Sequence, residues 1–208
     1  MRGGWLLAAL LLAQAAPAGA LAPEPAAQVA ARGTVEVVFS PWGDAEAALL
    51  RAIGESRELI LVQAYLFTSK PLARALVDAH RRGIRVEVLF DAEGNRTGSF
   101  SVLPDLLDAG IPVFVETRYN IAHNKVMLFD PASPRGAVAT GSYNFTRSAR
   151  LGNAENLLIL RGNPALTRAY LDNWRRHRAD ALPIASLADL PPKKRKEDGR
   201  ERDRPPAD

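Results

Sequence analysis

A histidine, a lysine, a serine, an asparagine and a glutamate are embedded among strand-like apolar runs between residues 121 and 160. They are His123, Lys125, Ser142, Asn144 and Glu155. In an extended segment, residues two apart project from the same face, so the His123 imidazole and the Lys125 ammonium would point to one place. Breaking a phosphodiester without a metal requires a nucleophile, groups that neutralise the nonbridging oxygens, and an acid for the leaving alkoxide. This set of side chains therefore predicts phosphoryl-transfer chemistry.

Each of the five side chains has an expected role in that reaction. His123 is the one good nucleophile among them, and Glu155 is expected to hold its ring in the reactive tautomer. Lys125 offers a point charge to the phosphate. Ser142 and Asn144 offer neutral hydrogen-bond donors to it.

A second imidazole is required, because one histidine cannot easily be both the nucleophile and the leaving-group acid in the same step. The chain has two other histidines, His80 and His177, which lie near predicted helix ends beside arginines. Both are expected to be exposed. The simplest source of the second imidazole is His123 of another chain. The sequence therefore predicts a two-fold homodimer in which both copies line one shared site.

Two other catalytic arrangements use part of this set. Ser142, His123 and Glu155 could form a hydrolase triad. The sequence lacks a nucleophile elbow, however, and a triad leaves Lys125 and Asn144 without a role. A metal hydrolase is disfavoured, because no clustered carboxylates or histidine pairs occur near these residues. We therefore expect no metal and no cofactor.

The spacing of these residues resembles the HKD motif of the phospholipase D superfamily. The matching features are His123-x-Lys125 with four residues to Asp130, then Gly141-Ser142-x-Asn144, and the pair Glu155-Asn156. The chain resembles the family's small bacterial endonucleases from about residue 35 to residue 174, which implies a phosphohistidine intermediate and a shared dimer site. Asp130 lies in a turn, so Asp130 and Gly141 are assigned supporting roles. The loop between them is longer than is usual in the family.

Strand-like and helix-like segments alternate before this motif and continue after it. Strands are predicted at 35–39, 59–64, 84–90, 111–115, 126–129, 137–140 and 156–160. Helices are predicted at 44–57, 71–82, 100–109 and 164–179. Asp44 is a predicted helix cap, and Gly83 and Gly110 are predicted helix stops. Repeated strand and helix with short connections indicates an α/β fold, here a mixed central β-sheet flanked by helices.

The 208 residues suffice for one domain, which we expect at 34–182. Residues 1–20 contain a short positive region, an apolar core and a small-residue cleavage site, which predicts a secretory signal peptide. An uncleaved anchor is the alternative. The lead-in at 21–33 and the charged tail at 183–208 are expected to be disordered. The mature protein is thus expected to be exported, periplasmic or secreted, without a stable membrane anchor.

A net charge of +4 favours anionic partners. The predicted function is a metal-independent phosphodiesterase, a nonspecific endonuclease that cleaves DNA, with RNA left open as a substrate. A phospholipase D acting on phospholipid head groups is the first alternative, because its phosphoryl chemistry is identical. An inactive nucleic-acid-binding module is the second. Four arginines are candidate contacts to a phosphate backbone: Arg96, Arg118, Arg147 and Arg150.

Overall fold

The computed structural model describes residues 25–95 and 101–192. The predicted signal peptide, Arg96 and residues 193–208 of the predicted charged tail lie outside these residues. Within them the strands are β1 (Thr34–Ser40), β2 (Leu59–Ala64), β3 (Arg85–Asp91), β4 (Val113–Glu116), β5 (Lys125–Phe129), β6 (Ala137–Gly141), β7 (Glu155–Arg161) and β8 (Leu182–Ile184). The helices are α1 (Ala45–Glu55), α2 (Lys70–Arg81), α3 (Leu103–Asp108), α4 (Arg147–Leu151) and α5 (Pro164–Asp180).

All eight of these strands form one sheet, in the order β1-β7-β6-β5-β2-β3-β4-β8. Strands β2, β3 and β4 are parallel, because helical segments return the chain to the same end of the sheet each time. The other neighbouring pairs are antiparallel. The predicted mixed sheet flanked by helices is confirmed.

Helices cover the two faces of the sheet unequally. Helices α1, α2 and α3 pack on one face and build the main core, with fully buried side chains such as Leu49, Leu76 and Leu106. Helix α5 packs on the other face through Leu171 and Trp174. Strand β2 lies at the centre and is buried on both faces, as expected for a strand enclosed by helices on both sides.

Most element boundaries differ from the sequence prediction by one to three residues, and contacts in the structure explain two of the departures. Helix α1 begins after the predicted cap, where Asp44 Oδ1 accepts from the Ala47 amide at 3.0 Å, but it ends at Glu55 rather than at residue 57. The amide of Arg57 donates to Asp130 instead, at 2.9 Å, so it cannot continue the helix. At the carboxyl end, β8 pairs with β4, so the sheet continues two residues past the predicted domain end at 182. The described part of the predicted tail also includes a 3₁₀ turn at Leu187–Asp189.

Candidate active site

The residues singled out by their chemistry meet at one edge of the sheet, which we call the site edge. The parallel strands β2, β3 and β4 end there, and the antiparallel strands β5 and β7 begin there. Lys125 lies opposite Ala64 in the register of β5 and β2. Glu155 lies opposite Ser40 in the register of β7 and β1. The strand order therefore brings together residues that are far apart in the sequence.

His123 and Lys125 contact the same aromatic ring. Lys125 is the first residue of β5, and its Nζ donates to the carbonyl oxygen of His123 at 2.9 Å. The His123 ring lies 4.5 Å from the Tyr65 ring, between centroids, and Lys125 Nζ lies 4.9 Å from the same Tyr65 centroid. Tyr65 follows β2 directly, and its amide donates to the carbonyl of Asn124 at 2.8 Å. Tyr65 is therefore a site residue to which the sequence analysis assigned no role; its position at the end of a buried strand was the available signal.

Lys125 and His123 differ sharply in their exposure to solvent. Lys125 is 6% exposed, whereas His123 is exposed. Burial lowers the pKa of the Lys125 ammonium, and the negative charge of Glu155 acts in the opposite direction. A poorly hydrated cation beside an accessible imidazole interacts strongly with an incoming phosphate.

Ser142 and Glu155 form a hydrogen-bonded pair at the same edge. Ser142 Oγ donates to Glu155 Oε2 at 2.5 Å and accepts from the Asn156 amide at 3.0 Å. Asn153 Nδ2 donates to the other carboxylate oxygen at 2.9 Å. The hydrogen bonds of the described chain do not include one between Glu155 and His123, so the orientation of that ring by Glu155 stays a prediction.

Gly141 allows the backbones of β6 and β7 to approach each other closely. Its φ is +152°, and a Cβ built there would lie 2.3 Å from the carbonyl oxygen of Asn156. A hydrogen bond of 3.2 Å from the Phe145 amide to the Leu66 carbonyl holds the turn that follows β6. Asn144 lies in this turn, and its Oδ1 is buried without a hydrogen-bond partner in the described chain. A larger residue in place of Gly141 would displace the segment that carries Ser142 and Asn144.

Sequence comparison identifies the family to which this arrangement belongs. A family model described as "Cardiolipin synthase, PLD-like domain" matches residues 49–177. The chain belongs to the phospholipase D superfamily. It is 36% identical over 143 residues to a phospholipase D of Rickettsia prowazekii, and the matched region covers 69% of this chain and 67% of that protein. It is 33% identical over 128 residues to the mitochondrial cardiolipin hydrolase of Xenopus laevis, covering 62% of this chain and 58% of that protein.

Two solved structures have the same fold. Nuc of Salmonella typhimurium, a phospholipase D family member, is 32% identical, with a TM-score of 0.69 over 74% of this chain and 100% of that chain. NucT of Helicobacter pylori, at 21% identity, has a TM-score of 0.66 with the same coverage. The family resemblance is thus confirmed. This member of the phospholipase D superfamily is a hydrolase of the phosphodiesterase class.

The aspartate of the HKD motif lies away from the site edge. Asp130 follows the carboxyl end of β5, so it lies at the sheet edge opposite Lys125. Its carboxylate accepts three backbone amides, those of Arg57, Glu58 and Leu59, at 2.8–2.9 Å. Asp130 therefore joins the loop after β5 to the start of β2, which agrees with the supporting role assigned to it.

Two of the arginines predicted to contact a phosphate backbone form ion pairs within this chain instead. Arg150 Nη1 lies 2.8 Å from Glu46 and its Nη2 lies 3.0 Å from Asp44. Arg118 is paired with Asp180. Both arginines hold elements of this chain together, which argues against their tracking a phosphate backbone. Arg147 opens α4 and is exposed, so it keeps that predicted role.

The prediction that His80 and His177 are exposed is wrong. Both are half-buried. The Nδ1 atom of His80 is buried without a hydrogen-bond partner among the described residues, and the His177 side chain is 13% exposed in contact with Glu116. The arginines beside them in the sequence suggested a solvated helix end, but the helix directs His177 toward the sheet.

Two further properties of the described residues bear on the site. No group of three or more histidine or acidic side chains in residues 25–95 and 101–192 is arranged to hold a metal ion. In the same ranges, every helix is too short or too polar to cross a bilayer.

Proposed function

We propose that this protein is a metal-independent nuclease that cleaves DNA through a phosphohistidine intermediate. The observation that carries the proposal is the shared placement of His123 and Lys125 on the Tyr65 ring, beside the pair formed by Ser142 and Glu155. A nucleophile that is open to solvent lies next to a buried cation. This combination suits attack on a phosphodiester, whose nonbridging oxygens need compensation as charge develops.

In the proposed first step, a ring nitrogen of His123 forms a bond to phosphorus while the bond from phosphorus to the leaving oxygen breaks. Lys125 compensates the phosphoryl oxygens, with Ser142 and Asn144 as additional donors. A second imidazole gives its proton to the leaving alkoxide. That imidazole then takes a proton from water, whose oxygen displaces His123 and restores the free enzyme.

We assign the second imidazole to His123 of another copy of this chain in a two-fold homodimer. An uncovered apolar surface supports the assignment. On β1, Val35, Val37 and Phe39 are 50–59% exposed, and Trp42 in the next turn is 87% exposed. Two of their register neighbours on β7 are also apolar, Leu160 opposite Val35 and Leu158 opposite Val37, whereas Phe39 lies opposite Asn156. We call this surface, formed by Val35, Val37, Phe39 and Trp42, the β1 stripe. Exposed apolar residues on ordinary monomers are usually scattered singly, whereas these four lie close together. The stripe ends beside the site edge, where Ser40 at the end of β1 lies opposite Glu155.

The nucleic acid substrate is supported by the net charge of +4 and by the exposed Arg147 at the start of α4, directly after the segment that carries Ser142 and Asn144. A positive surface beside the reaction centre attracts a polyanion. A second candidate function, cleavage of phospholipid head groups, is favoured by the relatives named phospholipase D and cardiolipin hydrolase. We further propose that the protein is exported, because its first 20 residues match a secretory signal peptide.

One parallel assay decides between the substrates. The purified protein, with EDTA present, is incubated with plasmid DNA, single-stranded DNA, RNA, and vesicles of phosphatidylcholine or cardiolipin. His123→Ala serves as the matched control in every reaction. We expect DNA cleavage without lipid cleavage. Head-group release without DNA cleavage would overturn the nuclease proposal in favour of the second candidate, and failure to cleave any substrate would favour the inactive binding module.

The shared site is tested by mixing subunits. Wild-type protein and His123→Ala are allowed to exchange subunits at varied ratios, and activity is measured against the wild-type fraction. If both imidazoles serve one site, only wild-type homodimers are active and activity falls with the square of that fraction. A linear decline would show that each chain works alone. Replacing Val37 and Phe39 with serine should weaken dimerisation, which sedimentation measures.

A further inference from the structure

We infer that His177 is a positioning residue for His123, acting through the loop at 117–124 that connects β4 and β5. The inference rests on the proposed role of His123 as nucleophile. His177 lies in the last turn of α5, on the sheet face opposite the α1 and α2 layer. It acts at a distance, through groups that hold both ends of the loop.

A buried carboxylate ties His177 to the sheet. Glu116 is the last residue of β4, and its side chain is 2% exposed. His177 Nδ1 contacts Glu116 Oε1, and Gln63 Nε2 donates to Glu116 Oε2 at 3.2 Å. A carboxylate removed from water is strongly destabilised unless it is paired and hydrogen bonded. Loss of the His177 side chain would therefore leave Glu116 with much less compensation, and we expect it to move toward solvent.

The first residues of the loop are attached to the same end of α5. The Tyr119 ring packs on the His177 ring, with 4.8 Å between centroids. Arg118 pairs with Asp180, the last residue of α5. The carboxyl end of α5 thus holds the start of the loop through two separate contacts, and one of them depends directly on the His177 imidazole.

The last residues of the loop are held at the site edge. The Ala122 amide donates to Asp91 Oδ2 at 2.7 Å, and the Asn124 carbonyl accepts from the Tyr65 amide at 2.8 Å. His123 lies between these two hydrogen bonds. Asp91 is also the register partner of Glu116 across β3 and β4. A shift of Glu116 would therefore reach His123 both along the loop and through Asp91.

The expected consequence is a defect in the chemical step with little effect on substrate binding. Displacing a nucleophile by about 1 Å can cost on the order of 100-fold in rate. For His177→Ala we expect kcat to fall by about 10-fold to 100-fold per folded molecule, while KM changes by less than about twofold. His177→Gln can still donate a hydrogen bond to Glu116 but loses the ring contact with Tyr119, so it should recover part of the lost kcat.

The test combines kinetics with histidine NMR on the full chain. The sequence holds three histidines, so each ring signal can be assigned by single replacement. Denaturant titration gives the folded fraction of His177→Ala, His177→Gln, Tyr119→Ala and the control Arg175→Ala, whose side chain is exposed and pairs with Asp172 on the same helix. We expect the His123 ring signals to shift most in His177→Ala, to shift less in Tyr119→Ala and in His177→Gln, each of which loses only the contact between the two rings, and to stay in place in Arg175→Ala.

Each outcome supports or overturns the inference. Unchanged His123 signals and unchanged kcat per folded molecule in both His177→Ala and Tyr119→Ala would overturn it. If His177→Ala does not fold, Tyr119→Ala and His177→Gln decide by the same two measurements. If His123→Ala proves fully active, the proposed function fails, but shifted His123 ring signals would still show that His177 positions this residue.

Discussion

The two ends of strand β5 show how differently one motif is used within a single chain. At its beginning, Lys125 is buried with few polar partners, beside an exposed His123. At its other end, Asp130 has both carboxylate oxygens occupied by backbone amides. Groups left short of partners are available to a substrate, whereas groups that are fully hydrogen bonded stabilise the fold. Replacements at the two ends should therefore separate activity from stability.

The long loop after Asp130 lies at the second of these two ends. The loop begins where the Ser133 amide donates to the Asp130 carbonyl at 2.8 Å, and it ends where the Gly136 amide donates to the Ser133 carbonyl at 2.9 Å. It connects β5 and β6 at the edge opposite His123. The additional residues therefore lie away from the site edge.

The largest expected effect is the loss of activity in His123→Ala. We expect kcat to fall by on the order of 10³-fold or more, because the nucleophile is removed. The free energy of unfolding should change by less than about 0.5 kcal/mol, since the side chain is exposed. Plasmid cleavage and urea denaturation measure the two quantities. His80→Gln, near the opposite edge in the last turn of α2, is the matched control and should remain active; appreciable turnover by His123→Ala would contradict the mechanism.

Asp130→Ala should produce the opposite result. It removes an acceptor that serves three backbone amides, so we expect the free energy of unfolding to fall by about 3 kcal/mol. The kcat of the folded fraction should stay within about twofold of wild type. Urea denaturation and active-site titration test this. Asp130→Asn keeps one acceptor oxygen and should lose about half as much stability; a stable but inactive Asp130→Ala would place this residue in the chemistry after all.

Ser142→Ala should give a smaller, kinetic effect at the site edge. The hydroxyl donates its one hydrogen to Glu155 and accepts from the Asn156 amide, so its loss loosens the carboxylate and removes a donor that would have to turn from Glu155 to reach the phosphate. We expect kcat to fall by about tenfold, with little change in stability. Single-turnover cleavage separates this loss from substrate binding. Ser148→Ala, which removes an exposed hydroxyl on α4, provides the matched control; equal losses in both variants would argue against a specific role.

Local patterns predicted much of this molecule. The alternation of apolar residues predicted the strands of the sheet, and the short spacing of His123 and Lys125 predicted the candidate reaction centre, because both signals lie within a few consecutive residues. Asp44 and Thr146 cap α1 and α4 through their own side chains, which is also a local effect. Such features can be predicted from sequence because the physical cause lies within one or two turns of chain.

Features that depend on distant contacts were missed. His177 is 61 residues away from Glu116, and its sequence neighbours indicated only a solvated helix end. Tyr65 acquires its role from contacts with the segment around His123. Strand β8 has three residues, one of them proline, and forms because the edge of β4 offers it backbone partners. In each case the tertiary neighbour, rather than the local pattern, decides the environment.

The smallest expected effect concerns the pH dependence of the site edge. Burial lowers the pKa of Lys125 below its ordinary value of 10.5, and the charged form is the one that compensates the phosphate. Activity should therefore fall as pH rises through the lowered pKa, so the alkaline limb of kcat/KM should lie below pH 10.5. The test is to measure kcat/KM for cleavage of a labelled oligonucleotide as a function of pH, with circular dichroism to confirm that the protein stays folded. Lys125→Arg keeps its charge throughout this range, so despite a lower rate it should lack the fall in activity that Lys125 causes and keep only the fall caused by deprotonation of the acid imidazole. If kcat/KM falls at the same pH in Lys125→Arg as in the wild type, the fall belongs to another group and is not caused by the burial of Lys125.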